Sequence, residues 1–163
     1  TLLLSGIVLD TNNFTLKTNA DTYYAAYYLS SMGASTKKVQ YLLKQDLKDY
    51  IERQKLITNV DIIDEKIAIA KGGPYMMYRR EDIAKIADTL LFFNDIEASF
   101  VIAKSNSKTI AISGRSLGNH NIAKILTPLG GGGVSTSGAA RISDSTISKV
   151  EAKLKQILKK EDE

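Results

Sequence analysis

Along the first third of the chain, apolar residues recur at helical spacing. Leu3, Leu4, Ile7 and Val8 mark one helix, and the pattern stops near Asp10–Phe14. A second helix runs through NADTYYAAYYLSSMG. Asn19 or Asp21 can accept from the free amides at its start, Gly33 suits a left-handed residue past its end, and Tyr23, Ala26, Tyr27 and Leu29 form its expected inner face. A third segment from Ser35 carries Val39, Leu42, Leu43, Leu47, Tyr50 and Ile51, as one long helix or as two with a break near Asp46.

After residue 58 the period changes from helical spacing to two. NVDIID and KIAIAK alternate and are rich in Val and Ile, which predicts strands. Ile83, Ile86, Leu90 and Phe93 share one side of a helix over 81–93, with Glu81 and Asp82 in its first turn, where carboxylates suit the helix dipole. ASFVIAK and KTIAISG are two more strands around an SNS turn. A further helix carries Ile122, Ile125 and Leu126, with Asn119 as its expected cap and Pro128 at its end. AARI is a short strand. A last helix from Asp144 or Ser145 presents Ile147, Val150, Leu154, Ile157 and Leu158, before a solvated, frayed KKEDE tail. The expected organisation is α/β: a helical piece over residues 1–57, then a compact domain over 58–163.

Composition narrows this picture only a little. At 44% hydrophobic and 25% charged, the 163 residues can bury a core. No apolar run approaches the roughly 20 residues that cross a bilayer. The absence of cysteine excludes disulfides and thiol-metal sites in this chain and makes a cytoplasmic setting the expectation. The net charge of +4 is mild and its lysines are scattered, so no long nucleic acid is expected as a partner. The chain starts at Thr1, inside a helical pattern and without Met, which reads as a piece of a larger protein.

Chemistry concentrates in RSLGNHNIAKILTPLGGGGVSTSGAA. Four consecutive glycines, Gly130, Gly131, Gly132 and Gly133, give a backbone bare enough for amides to approach a phosphate, or else a flexible helix–strand connection. Arg115 can add a bidentate guanidinium, and Ser116, Ser135, Thr136 and Ser137 can add hydroxyls. The spacing matches neither a P-loop nor G-x-G-x-x-G. Asp10, followed by Thr11, can cap the next turn or bind a hard metal ion, but a single aspartate cannot hold a metal pair. His120 is the sole histidine and reads as a surface residue.

Two stretches resemble a known family. LLLSGIVLDTNNFTLKTNADTYYAAYYLSSMGA is similar to the end of the catalytic domain of DHH-family phosphoesterases, and ISGRSLGNHNIAKILTPLGGGG is similar to their substrate-binding DHHA1 domain. The resemblance covers nearly the whole chain and points most closely to bacterial cyclic-di-AMP phosphodiesterases. It implies a DHHA1 domain with a mixed β-sheet flanked by helices, and hydrolysis of a cyclic dinucleotide with two metal ions, usually manganese. Asp10 would be one metal ligand, and the remaining ligands, absent here, would precede Thr1. Arg115, Ser116 and Gly130 to Gly133 would grip the substrate phosphate. The family usually has His after the glycines, where this chain has Val134. By the same resemblance the parent can be membrane-anchored with this part facing the cytoplasm, and can form a homodimer. Alternatives within the family are cleavage of short oligonucleotides, as in oligoribonuclease and RecJ-like members, and nucleic-acid binding without catalysis.

Overall fold

The computed structural model describes residues 1–161, with the side chain of Glu161 excepted. Two compact units divide the chain, Thr1–Leu47 and Lys48–Glu163.

In the first unit, α1 (Leu2–Asp10) contacts both α2 (Ala20–Ser31) and α3 (Thr36–Leu42). Asn19 caps α2: its side chain accepts from the Thr22 amide, while the Thr22 hydroxyl accepts from the Asn19 amide. Ser35 caps α3 by accepting from the Lys38 amide. The expected inner face of α2 is not buried among the described residues: Tyr23 and Tyr27 are 57% and 69% exposed. Three short helices enclose too little volume to cover four tyrosines. Tyr23 instead stacks on Phe14 at 5.5 Å. The third apolar segment resolves into two helices, α3 and then α4 (Leu47–Gln54), with Leu43–Asp46 between them.

The second unit is built on a six-stranded mixed sheet in the order β1-β2-β3-β4-β6-β5. The strands are β1 (Val60–Ile63), β2 (Ile67–Lys71), β3 (Ala98–Lys104), β4 (Thr109–Ser116), β5 (Gly132–Val134) and β6 (Ser137–Ser143). Only β2 and β3 run parallel, joined by α5 (Arg80–Leu90) as the crossover helix. Alternation along the strands makes two cores. Phe100, Ile102, Ile110 and Ile112 face α6 (Ile122–Leu126) and α7 (Ile147–Glu161), whose Ile125, Leu126, Val150 and Leu154 close one layer. Ala68, Ala70, Val101 and Ala103 face the other way, against Ile83, Ile86 and Leu90 of α5 and against Leu56. This is the α/β class with a helix-flanked mixed sheet that the sequence predicts.

Some boundaries move. α5 ends at Leu90, leaving Phe93 exposed. The cap of α6 is Asn121, which accepts from the Lys124 amide, while Asn119 donates to Glu97 at 2.7 Å. α7 continues through Lys159 and Lys160, so these residues are helical; Asp162 and Glu163 of the expected tail lie outside the described residues. The hairpin strand β5, placed inside the glycine run, is absent from the expected elements.

An ion network fastens α7 to the sheet. Lys71 donates to Asp61 at 2.8 Å and to Glu151 at 3.0 Å, and Lys155 reaches the same two carboxylates. Hydrogen bonds from Lys71 and then Lys155 hold the Asp61 carboxyl at about 2, below its ordinary 3.8. A carboxyl whose folded value is depressed stabilises the fold above its unfolded value, and that contribution is lost as pH falls through the folded one. Asp61→Asn is therefore expected to cost about 1 kcal/mol at pH 7, once discounted for solvent screening. The difference from wild type should vanish between about pH 4 and pH 2. Urea melts of both proteins across that window measure it.

Candidate functional site

The two ends of the glycine motif meet across β6. β4 pairs with β6 so that Arg115 lies opposite Ser137, and β6 pairs with β5 so that Ser137 lies opposite Val134. Directly paired residues share a face of the sheet. Arg115, Ser137 and Val134 therefore lie in one row, on the face packed by α5. Ser135 and Thr136 form the two-residue turn. Their carbonyls accept from Ile122 and Ser116 amides, which ties the turn to the end of β4 and the start of α6.

Arg115 is 21% exposed and its guanidinium is aimed. Its Nε donates to Asp88 of α5 at 2.7 Å, and its Nη1 donates to the Gly114 carbonyl at 2.9 Å. Among the described residues no hydrogen bond engages Nη2 or the second N–H of Nη1. Ser116, one residue on, points to the opposite face, as strand geometry requires. Its buried hydroxyl donates to the His120 carbonyl at 2.7 Å and accepts from the Gly118 amide, pinning the loop before α6. The two neighbours are thus adjacent in sequence but not joined on one surface. His120 is half-buried, and its backbone rather than its ring makes this contact.

The glycines are not one uniform loop. Gly132 and Gly133 lie in β5, an edge strand. At Gly131 a Cβ would sit 2.5 Å from the Ala139 carbonyl oxygen, and at Gly133 it would collide with the Ser137 carbonyl. These two glycines allow β5 to close on β6. At Gly132 a Cβ would meet nothing within 4 Å, so this position opens outward. Gly130, Gly131 and Gly132 border a cavity of about 320 Å³ whose other walls include Arg80 and Ile83 of α5 and Ser113 of β4. Val134 is exposed and offers no donor beside Arg115.

Asp10 lies in the other unit, as the last residue of α1. The turn after it is held by Thr11, whose hydroxyl donates to the Ile7 carbonyl and accepts from the Phe14 amide. Asp10 makes no capping hydrogen bond among the described residues, and its exposed carboxylate lies 3.8 Å from the Lys17 ammonium. It is therefore accessible to a cation. Among the described residues no three His, Cys, Asp or Glu side chains gather to hold a metal ion, so this chain's own donors do not fit a two-metal centre.

The architecture is shared with solved structures. An exopolyphosphatase-related protein from Bacteroides fragilis has the same fold, with a TM-score of 0.79 at 17% identity, over 94% of this chain and 47% of that one. The pGpG-specific phosphodiesterase PggH from Vibrio cholerae has a TM-score of 0.55 at 14% identity, over 94% of this chain and 56% of its own. In sequence the chain is similar to one segment of proteins named cyclic-di-AMP phosphodiesterases. It is 45% identical to GdpP of Geobacillus thermodenitrificans over 97% of this chain and 24% of that protein. It is 43% identical to PdeA of Listeria monocytogenes over 94% of this chain and 23% of that protein. The chain thus spans about a quarter of the length of these curated relatives. No protein-family model matches it. No helix among the described residues is long and apolar enough to cross a membrane.

Proposed function

We propose that this chain is the C-terminal, substrate-holding portion of a DHH/DHHA1 phosphodiesterase that opens a cyclic dinucleotide, cyclic-di-AMP, to its linear form. The observation that carries the reading is the 45% identity to a cyclic-di-AMP phosphodiesterase along almost the entire chain. Arg115, braced on β4 one strand short of the pairing partner of the glycine-bearing edge strand and in the same row as Val134, supplies the matching chemistry.

In this reading Arg115 is the phosphate anchor. Its free N–H groups meet the non-bridging oxygens, and Asp88 fixes the direction of the fork. Gly132 leaves the approach unobstructed, and Ser116 holds the adjoining loop from beneath. Val134 leaves the substrate without a side-chain donor at that position, so orientation falls more heavily on Arg115. Asp10 contributes one ligand to a manganese pair whose other ligands belong to the rest of the parent protein; the metals would supply the activated water. A cytoplasmic setting, anchoring of the parent at a membrane and pairing as a homodimer belong to the same proposal.

The test is hydrolysis by the full-length parent protein. With manganese it is expected to convert cyclic-di-AMP to the linear dinucleotide, and Asp10→Ala should reduce the rate by about a hundredfold or more, since even ligand-supporting residues cost ten- to a hundredfold. Chromatographic assay of the product measures this. A parent inactive on cyclic-di-AMP, or an Asp10→Ala variant of full activity, would overturn the reading.

A further inference from the structure

The fold gathers lysines that lie far apart in the sequence. α6 and α7 cover the side of the sheet opposite Arg115: their apolar residues pack on Phe100, Ile102, Ile110 and Ile112, whereas Arg115 shares the face covered by α5. On α6 the buried residues are Ile122, Ile125 and Leu126, and on α7 they are Val150, Leu154 and Leu158. At 3.6 residues per turn, the rest of each helix is turned away from the sheet. That outer side carries Lys124 on α6 and Lys149, Lys153, Lys159 and Lys160 on α7, all of them exposed. From Lys149 to Lys160 the helix advances about 16 Å, at roughly 1.5 Å per residue.

Among the described residues no ion pair or hydrogen bond engages any of these five ammonium groups. α6 has no acidic residue, and Glu151 of α7 is taken by Lys71 and Lys155. Five like charges without a described carboxylate between them raise a positive field over one face of a chain whose net charge is only +4. The surface offers little else. α6 and α7 contain no arginine and no aromatic residue, and none of the exposed large apolar side chains lies on either helix. It therefore lacks the guanidinium forks and stacking rings that hold RNA, and the buried anchors that fix a protein partner. Charge spread over an area matches a partner whose own charge is spread over an area.

We infer that the lysine face of α6 and α7 is a docking surface for an anionic lipid bilayer. The apolar sides of both helices are already buried against the sheet, so the contact is adsorption onto headgroups and not insertion among acyl chains. Lysine suits this role, since its compact charge at the end of a flexible stem needs no fixed geometry in the partner. Docked in this way, the sheet lies between the bilayer and Arg115, whose face is turned from the lipid.

Sedimentation of the 163-residue chain with vesicles of phosphatidylglycerol and phosphatidylcholine tests this, with vesicles of phosphatidylcholine alone and polyuridylate RNA as the other probes. The chain is expected to bind the mixed vesicles at low salt and to ignore the neutral ones. Raising the ionic strength to about 1 M, where the screening length is roughly 3 Å, should release it. Lys149→Gln and Lys153→Gln should each lower the partition coefficient about fivefold and together about twentyfold, the usual worth of basic side chains near an anionic surface. Lys85→Gln removes the same charge from an exposed position of α5, across the sheet, and should leave partitioning unchanged. Thermal melts of the variants keep loss of binding apart from loss of fold. No binding to the mixed vesicles overturns the surface, and an equal fall in Lys85→Gln and Lys149→Gln assigns the binding to net charge and does the same. Polyuridylate that displaces the chain from the vesicles, and is itself bound less tightly by the Lys149 and Lys153 variants, makes this an RNA surface and overturns the bilayer reading.

Discussion

Arg115→Ala is expected to weaken binding of cyclic-di-AMP to the 163-residue chain by about ten- to a hundredfold, the usual worth of a charge-assisted hydrogen-bonding group directed at phosphate. Arg115→Lys should recover little of this. Lysine carries the charge but not the planar fork, and it cannot donate to Asp88 and to a phosphate in the present directions. Asp88→Asn separates aim from charge. The amide oxygen can still accept from Arg115 Nε, so the expected loss is only a few-fold. Asp88→Ala frees the side chain to rotate and should fall between the other two. Calorimetry on the four variants measures the series, and thermal melts keep binding apart from folding. The Arg115–Asp88 pair is 21% and 27% exposed, so its own contribution to stability is small, about 1 kcal/mol. An Arg115→Ala chain that binds as tightly as wild type would remove Arg115 from the site.

How much of this is visible in the sequence depends on the range of the interaction. Local periodicity places β2, β3, β4 and the helices that flank them, because each needs only its own residues to show one apolar face. Caps within three residues are also legible: Asn19 and Ser35 accept where their helices begin. The cap of α6 falls two residues later than expected because Asn119 is drawn away by Glu97, 22 residues earlier in the chain. β5 is invisible to propensity, since glycines have no side chain to alternate and their strand state is imposed by β6. The glycine run signals a close backbone approach, which the structure shows at Gly131 and Gly133, while a Cβ at Gly132 would meet nothing within 4 Å. Strand geometry also separates Ser116 from Arg115, which a motif read as letters joins. Asp88 lies 27 residues before Arg115 and becomes its partner only when α5 folds back over the sheet.

Asp82→Ala is expected to be the most destabilising of the substitutions considered, by about 3 kcal/mol or somewhat more. Asp82 and Arg53 are 11% and 7% exposed, and Arg53 donates to the carboxylate at 3.0 Å while Arg79 donates at 2.9 Å. Burial opposes the ionised carboxyl, yet the two arginine hydrogen bonds prevail and its pKa lies below the ordinary aspartate value. Alanine removes that carboxylate and leaves a buried guanidinium without it, at the junction where α4 meets the start of α5. For a chain of this size the loss corresponds to a fall in melting temperature of roughly 10 °C. Because the folded pKa is depressed, the ionised pair stabilises at neutral pH, and the gap between wild type and Asp82→Asn should narrow as the pH falls through the acidic range. A second variant tests the cause. Replacing both partners, Arg53→Met with Asp82→Leu, removes the two charges together, and should recover part of the stability lost in Asp82→Ala. If the double variant is no more stable than the single one, the pair matters for its shape rather than its charge. The same melts run with cyclic-di-AMP present should show an unchanged ligand-induced rise in melting temperature, since Asp82 holds the start of α5 and Asp88, six residues further along that helix, braces the arginine proposed as the phosphate anchor.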